Sequence, residues 1–239
     1  MILIYASIDA VPRYGRRNVL VQSAAAFFVA VLLSLAGFLD MAHAQTPTPA
    51  GRPVKLVALG DSLTAGYNLP GSAAFPVKLE QALRRKGVAV EIVNAGVSGD
   101  TSQAGLERLD WSVPDGTDGV ILELGANDAL RGIDPAQTRQ SLEAIITRLR
   151  QRGIAVMLAG IYAPRNLGED YAKRFDAIHR ELAEKYGLVL YPFFLEGIAG
   201  DRALNLPDGM HPTAEGVDVI VRSILPTVER FIATLPARS

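Results

Sequence analysis

Two polar segments carry the side chains that nucleophilic acyl transfer needs. Ser62 follows an apolar run and a glycine, and Asp208 stands three residues before His211 in a loop. A serine hydroxyl is a weak nucleophile until a histidine, oriented by a carboxylate, removes its proton. The pattern predicts Ser62 as nucleophile, His211 as general base and Asp208 as the group that orients the base. Taken singly, Ser62 and Asp208 are explained as well or better by helix capping and turn formation.

Histidine is scarce in this chain, which limits the choice of base to His43, His179 and His211. His43 lies in an N-terminal segment that we expect to be removed. His179 lies on the flank of a predicted helix, where we expect part of its ring to face solvent. A loop histidine at a crevice is better placed to take a proton from a serine. Elimination therefore also favours His211.

Acyl transfer also needs hydrogen-bond donors for the oxyanion of its tetrahedral intermediate. Three donors follow successive predicted strands: the backbone N–H of Ser62, the backbone N–H of Gly96 and the side-chain amide of Asn127. Each of these residues is, by itself, a routine loop former. Because they occur together at neighbouring strand ends, we predict that Ser62, Gly96 and Asn127 form an oxyanion hole.

Apolar runs alternate with helical patterns along the chain. The predicted strands are Val54–Leu59, Val88–Val93, Gly119–Leu124, Ile154–Leu158 and Leu188–Tyr191. The predicted helices are Ala74–Lys86, Pro135 to Gly153, Tyr171–Tyr186 and Ala214–Ile232, the last kinked or divided at Pro226. This alternation predicts one three-layer α/β domain over residues 54–235, with about five parallel strands covered by helices on both faces. Functional residues gather at the carboxyl ends of the strands in such sheets.

The N-terminal segment has the three parts of a secretory signal peptide. Arginines precede the apolar run Val19–Leu39, and the small-residue site Ala42-His43-Ala44 follows it. We expect cleavage near Ala44, which removes residues 1–44 and leaves 45–53 as a linker. The alternative is a retained membrane anchor, because the apolar run is nearly long enough to span a bilayer. With cleavage, the protein is exported, periplasmic or secreted, and keeps no stable membrane anchor.

Composition excludes several classes of protein. The chain has no cysteine, which excludes disulfides, thiolate metal sites and a cysteine nucleophile. The net charge is −1, and no basic cluster is interleaved with aromatic residues, so we expect no nucleic-acid partner.

Four segments, in order along the chain, resemble the signature blocks of the SGNH (GDSL) hydrolase superfamily. They are Gly60-Asp61-Ser62-Leu63, Gly96, Gly125-x-Asn127-Asp128 and Asp208-x-x-His211. Their flanks, such as Ser98-Gly99-Asp100-Thr101-Ser102, resemble the TesA-like branch of periplasmic thioesterases, lysophospholipases and arylesterases. The similarity covers about residues 54–230.

The resemblance implies a flavodoxin-like sheet, neither metal nor cofactor, and the triad and oxyanion roles given above. It implies a serine hydrolase of carboxylic esters that forms an acyl-enzyme on Ser62, and we expect the protein to be a monomer. Its substrate would be a small-molecule ester, a thioester or a lysophospholipid. One departure is Ala126, where this branch commonly has a second glycine, and we expect at most a slight shift of the Asn127 loop.

Two other functions remain open at this point. A carbohydrate O-deacetylase of the same superfamily shares the triad. A non-catalytic flavodoxin-like module for flavin or phosphate is disfavoured, because phosphate binding needs none of Ser62, Asn127 and His211. For the acyl site, we expect Leu109–Asp118 and Ala163–Tyr171 to border the crevice, and the apolar segment Tyr191–Leu195 to join the core.

Overall fold

The computed structural model describes residues 52–236. The predicted signal peptide and most of the predicted linker lie outside these residues. The described part contains five parallel strands in the order β2-β1-β3-β4-β5. Their bounds are β1 Val54–Gly60, β2 Val90–Gly96, β3 Gly119–Glu123, β4 Ala155–Ala159 and β5 Val189–Tyr191. The predicted α/β class with a five-stranded parallel sheet is confirmed.

Helices follow the strands in alternation. Their bounds are α1 Ser62–Ala65, α2 Phe75–Arg85, α3 Ser102–Glu107, α4 Leu109–Ser112, α5 Ala126–Leu130, α6 Pro135–Gln151, α7 Glu169–Tyr186 and α8 Ala214–Ala233. Helix α2 packs against α8, whereas α6 packs against α3 and α7. Because crossovers between parallel strands are right-handed, and the strand order reverses at β1, these two groups cover opposite faces of the sheet. Among residues 52–236, no helix combines the length and the apolar character needed to cross a bilayer.

The long elements follow the sequence pattern, whereas four short helices escaped it. Helices α1, α3, α4 and α5 have four to six residues each, too few to show a helical period. Helix α8 continues through Pro226, so the proline does not divide it. The side chains of Ile224 and Val228, on both sides of the proline, are fully buried in the core.

The register of the central strands brings three loops together. Gly60, the last residue of β1, pairs with Gly96 of β2 on one side and with Glu123 of β3 on the other. The segments after these three residues therefore leave the sheet side by side, at the point where the strand order reverses. In open parallel sheets this position is the usual place for a ligand crevice.

Candidate active site

The turn between β1 and α1 presents Ser62 at the carboxyl edge of the sheet. A Cβ on Gly60 would lie 2.1 Å from Thr64 Oγ1, so only glycine lets the helix start so close to the strand. Asp61 caps the helix, because its Oδ1 accepts a hydrogen bond from Leu63 N at 3.0 Å. Ser62 is the first residue of α1, and its backbone N–H has no acceptor within the helix.

The Asp208 loop holds a histidine in contact with this serine. Asp208 Oδ1 accepts hydrogen bonds from the backbone N–H groups of Met210 and His211, at 2.9 and 3.0 Å. The backbone N–H of His211, then that of Met210, lowers the pKa of Asp208 to about 2, so the carboxylate is charged at neutral pH. Its Oδ2 lies 2.8 Å from His211 Nδ1, and His211 Nε2 lies 2.9 Å from Ser62 Oγ. With Nδ1–H donating to the carboxylate, Nε2 is left to accept the serine proton.

A tyrosine that the sequence analysis did not single out packs on the histidine. The rings of Tyr67 and His211 have their centroids 4.4 Å apart and their planes inclined by 34°. Tyr67 follows Gly66, whose φ of +83° ends α1 in the left-handed region that favours glycine. The short helix thus presents Ser62 at one end and an aromatic wall for the His211 ring at the other.

Asn127 reaches the nucleophile turn from the loop after β3. Its Nδ2 donates hydrogen bonds to the backbone carbonyl of Asp100 at 3.0 Å and to Asp61 Oδ2 at 3.2 Å. Gly125 has a φ of +124°, which allows β3 to turn directly into α5. Ala126 is accommodated beside it and lines the same crevice as Ser62 and Asn127.

Gly96 is placed differently from the prediction. Its N–H donates to Asn94 Oδ1 at 3.0 Å, so this N–H is engaged within β2. A Cβ on Gly96 would lie 2.3 Å from Ala65 N, which makes its role the close approach of α1 to β2. This geometry argues against Gly96 as an oxyanion donor.

A neighbouring glycine offers a free donor in its place. Gly99 has a φ of +88°, and its carbonyl accepts a hydrogen bond from Arg131 Nη2 at 2.7 Å. Within residues 52–236, the Gly99 N–H has no acceptor. Gly99 directly precedes Asp100, whose carbonyl holds Asn127. Gly99 lies in the segment Ser98-Gly99-Asp100-Thr101-Ser102, which resembles the family pattern. Nothing in the local sequence indicated that the backbone N–H of Gly99, rather than that of Gly96, would be free.

Two buried carboxyl groups lie beneath the nucleophile turn, and neither was foreseen. Burial is the main reason that the pKa of Asp61 is raised to about 6, despite the hydrogen bonds from Leu63 and Asn127. Burial, reinforced by the Asp61 carboxylate, raises the pKa of Glu123 well above its ordinary value, which favours the protonated form of this side chain. Glu123 Oε2 accepts hydrogen bonds from Thr64 Oγ1 at 2.8 Å and from Asp61 N at 3.4 Å. It thereby ties β3 to both sides of Ser62.

His179 is buried, contrary to expectation. His179 is only 3% exposed. Its Nε2 lies 3.1 Å from the carbonyl oxygen of Leu124, and the neutral ring donates a hydrogen bond to this oxygen. Burial lowers the pKa of His179 to about 4. The helix flank faces the end of β3 here, so the ring supports Gly125 and the Asn127 loop from below. The ring lines no part of the crevice that contains Ser62.

The crevice around Ser62 and His211 has a volume of about 580 Å³ and a mainly apolar lining. Its apolar side chains include Leu63, Ala129, Leu130, Ile161, Tyr162, Ala163, Phe193, Leu195 and Met210. Tyr162 stacks on Phe193 with ring centroids 4.7 Å apart. A second cleft of about 680 Å³ lies between α3 and α6, but it has a mixed polar and apolar lining and does not include Ser62 or His211.

The expectations for the crevice walls are met only in part. Ala163, Pro164 and Arg165 line the crevice as expected, whereas Leu109–Asp118 leads into the amino end of β3, at the opposite edge of the sheet. The segment Tyr191–Leu195 divides between two environments. Phe194 is fully buried in the core, but Phe193 and Leu195 face the crevice. Alternation along an irregular segment, rather than overall hydrophobicity, decides which side chains reach the site.

The comparisons with known proteins agree with this architecture. Residues 58–219 match the GDSL-like Lipase/Acylhydrolase family. The chain is 38% identical to an arylesterase of Vibrio mimicus, over 77% of this chain and 90% of that protein. It is 39% identical to the thioesterase 1/protease 1/lysophospholipase L1 of Escherichia coli, over 67% of this chain and 76% of that protein. The crystal structure of AlinE4, an SGNH-hydrolase family esterase, is 46% identical with a TM-score of 0.64, over 78% of this chain and 99% of that one. The chain therefore belongs to the GDSL-like lipase/acylhydrolase family and is a carboxylic ester hydrolase.

Proposed function

We propose that the protein cleaves esters through an acyl-enzyme on Ser62. The single observation that carries this proposal is the unbroken series of contacts from Asp208 to His211 to Ser62, at 2.8 and 2.9 Å. His211 Nε2 takes the Ser62 proton as Oγ bonds to the carbonyl carbon, and the carbonyl oxygen becomes an oxyanion. The charged Asp208 stabilises the imidazolium that forms.

The second half of the reaction uses the same groups. As the oxyanion collapses, the bond to the leaving alcohol or thiol breaks, and His211 returns the proton to that leaving group. A water molecule then gives its proton to His211 and attacks the acyl-enzyme. The second tetrahedral intermediate releases the carboxylic acid and restores the Ser62 hydroxyl.

The oxyanion is proposed to bind the N–H of Ser62, the N–H of Gly99 and the amide of Asn127. Gly99 replaces Gly96 in this set because its N–H is free, whereas the Gly96 N–H already donates to Asn94. Asn127 has both amide hydrogens engaged, by Asp61 and by the Asp100 carbonyl. One of these hydrogen bonds must therefore be exchanged for the oxyanion as charge develops.

The size and lining of the crevice favour a substrate whose acyl group is longer than acetyl. Its volume of about 580 Å³ is far larger than an acetyl group needs, and its apolar lining would hold a hydrocarbon chain. A carbohydrate O-deacetylase would gain nothing from Phe193 and Leu195 on this wall. The relatives are named arylesterase and thioesterase/lysophospholipase, which supports small-molecule esters, thioesters or lysophospholipids as substrates.

Labelling with a fluorophosphonate probe tests the nucleophile, and a series of p-nitrophenyl esters tests the acyl site. We expect the probe to attach to Ser62 alone, and Ser62→Ala to abolish both labelling and turnover. Ser72→Ala serves as the matched control, because Ser72 is an exposed serine outside the crevice. Labelling at another residue, or turnover by Ser62→Ala, would refute the proposal. Activity restricted to the acetyl ester would favour the deacetylase instead.

A further inference from the structure

Arg108, between α3 and α4, binds two segments that carry oxyanion donors. Its side chain is only 7% exposed. Its Nη2 donates to the backbone carbonyl of Gly60 at 2.8 Å, and its Nε donates to Asp100 Oδ2 at 2.5 Å. Its Nη1 donates to Ser112 Oγ at 3.0 Å. One guanidinium therefore joins the strand end before Ser62 to the loop after β2.

Both of these segments position proposed oxyanion donors. Gly60 leads into the turn that supplies the Ser62 N–H, and Asp100 adjoins Gly99. The backbone carbonyl of Asp100 also accepts the Asn127 amide at 3.0 Å. The separation of all three donors thus depends on how the Asp100 loop sits against the Gly60 turn. Arg108 itself does not line the crevice, so it cannot touch the substrate.

Arginine has the shape that this position needs. Its planar guanidinium offers donors in fixed directions, whereas a lysine ammonium is a single point charge on a flexible stem. Removing an ion pair from water is costly, and a buried pair adds little stability compared with apolar packing. The exposed fraction of the Asp100 side chain is 14%, so this pair is largely buried. Positioning explains the arrangement better than stability does.

We propose that Arg108 is a positioning residue that fixes the Gly99-Asp100 loop against the nucleophile turn and so sets the geometry of the oxyanion hole. This inference rests on the proposed function. The oxyanion exists only in the transition state and the intermediates next to it, so a misplaced donor lowers kcat and leaves KM nearly unchanged. Displacements near 1 Å in a site of this kind lower rates by roughly 100-fold.

The first test is the kinetics of Arg108→Lys, which keeps the charge and loses the fork of donors. We expect kcat on a p-nitrophenyl ester to fall roughly 10- to 100-fold, with KM within about twofold of wild type. Arg152→Lys is the matched control. Arg152 donates to the carbonyl of Val113 at 2.6 Å and to Asp115 Oδ1 at 3.1 Å, but at the amino edge of the sheet. It should keep wild-type kcat.

The second test measures the oxyanion hole directly. Ser62 adds to a trifluoromethyl ketone: Oγ bonds to the carbonyl carbon, the proton passes to His211, and the ketone oxygen becomes an oxyanion. Arg108→Lys should weaken binding of this ketone by the same factor as it lowers kcat/KM. Binding of the matching alcohol, which forms no oxyanion, should stay unchanged. A purely structural defect would weaken both ligands together.

These results separate the two proposals. If Arg108→Lys is folded by circular dichroism but keeps wild-type kcat and ketone affinity, the positioning role is wrong, while Ser62 labelling stands. An equal loss of kcat in Arg152→Lys, or a loss confined to KM, overturns it as well. If wild-type protein does not form the Ser62 adduct at all, the proposed function itself fails. Should Arg108→Lys not fold, Asp100→Asn gives the same test, with a smaller loss of roughly 3- to 10-fold in kcat.

Discussion

Replacing His179 with glutamine should remove a large part of the acid sensitivity of the fold. The His179 ring is buried, its Nε2–H donates to the Leu124 carbonyl, and within the described residues its Nδ1 has no partner. Burial disfavours the charged form and lowers the pKa of His179 from 6.5 to about 4. A glutamine at this position can donate to the same carbonyl but has no proton to take up.

The two pKa values give the sign and size of the effect. The unfolded chain binds this proton near pH 6.5, and the folded chain binds it only near pH 4, so protonation favours unfolding in between. His179 contributes nothing to the free energy of unfolding above about pH 7. As the pH drops below 6.5, the protonation of His179 in the unfolded chain lowers the free energy of unfolding. The loss attributable to His179 is roughly 2 kcal/mol at pH 5 and roughly 3 kcal/mol at pH 4.

Urea unfolding at pH 7.5 and pH 5 measures this loss. Far-ultraviolet circular dichroism is the better probe, because the one tryptophan, Trp111, is 74% exposed and changes its surroundings little on unfolding. The buried Asp61, whose pKa is raised to about 6, acts in the opposite direction and stabilises the fold on acidification. Since wild type and variant share Asp61, its contribution cancels when the two are compared.

We expect the stability difference between wild type and His179→Gln to change by roughly 2 kcal/mol between the two pH values, in favour of the variant at pH 5. His179→Phe lacks the hydrogen bond to Leu124 and should be less stable than His179→Gln at both pH values. The stability difference between wild type and His179→Phe should nevertheless change by the same amount between pH 7.5 and pH 5 as that between wild type and His179→Gln. If wild type and both variants lose stability in parallel, His179 is not held neutral in the folded chain and the reasoning is refuted.

Four further predictions follow from the site. Asn127→Ala should lower kcat by roughly 10²–10³ with little change in KM, and steady-state kinetics showing only a KM effect would place Asn127 in substrate binding. His211→Gln should lower kcat by several orders of magnitude, whereas His179→Gln, assayed at pH 7.5, should keep most of the wild-type kcat. If both variants are folded and equally inactive, the proposed triad is contradicted. Because the pKa of Glu123 is raised and an amide matches a protonated carboxyl in shape, Glu123→Gln should keep near-wild-type activity and stability. Glu123→Ala should lower the free energy of unfolding by roughly 1–3 kcal/mol in urea titrations, and a large loss of stability in Glu123→Gln would mean that the carboxyl is ionised. Mass spectrometry of exported protein should find Gln45 as the first residue, and retention of residues 1–44 would favour the membrane anchor.

The sequence by itself predicted the candidate reacting groups and a parallel sheet covered by helices. Ser62 and His211 stand in short segments whose neighbours, glycine and proline, restrict the local backbone. The placement of Ser62 at a strand end and of His211 in a loop therefore follows from local rules. The central strands are continuous apolar runs because helices cover them on both faces, and such runs are visible without coordinates. Their alternation with amphipathic helices is enough to predict a parallel sheet.

Only the tertiary structure decided which backbone donors are free and which charges are tolerated. Gly96 and Gly99 look alike in the sequence, but Asn94 engages the N–H of one and leaves that of the other open. His179 lies on its helix between the polar Arg180 and the apolar Ile178, a pattern typical of a helix flank, yet packing against the end of β3 buries it. The raised pKa of Glu123 depends on its burial beside Asp61, 62 residues away in the chain. Hydrogen-bond competition and desolvation are set by atoms that are distant in sequence, and for this reason no local pattern contains them.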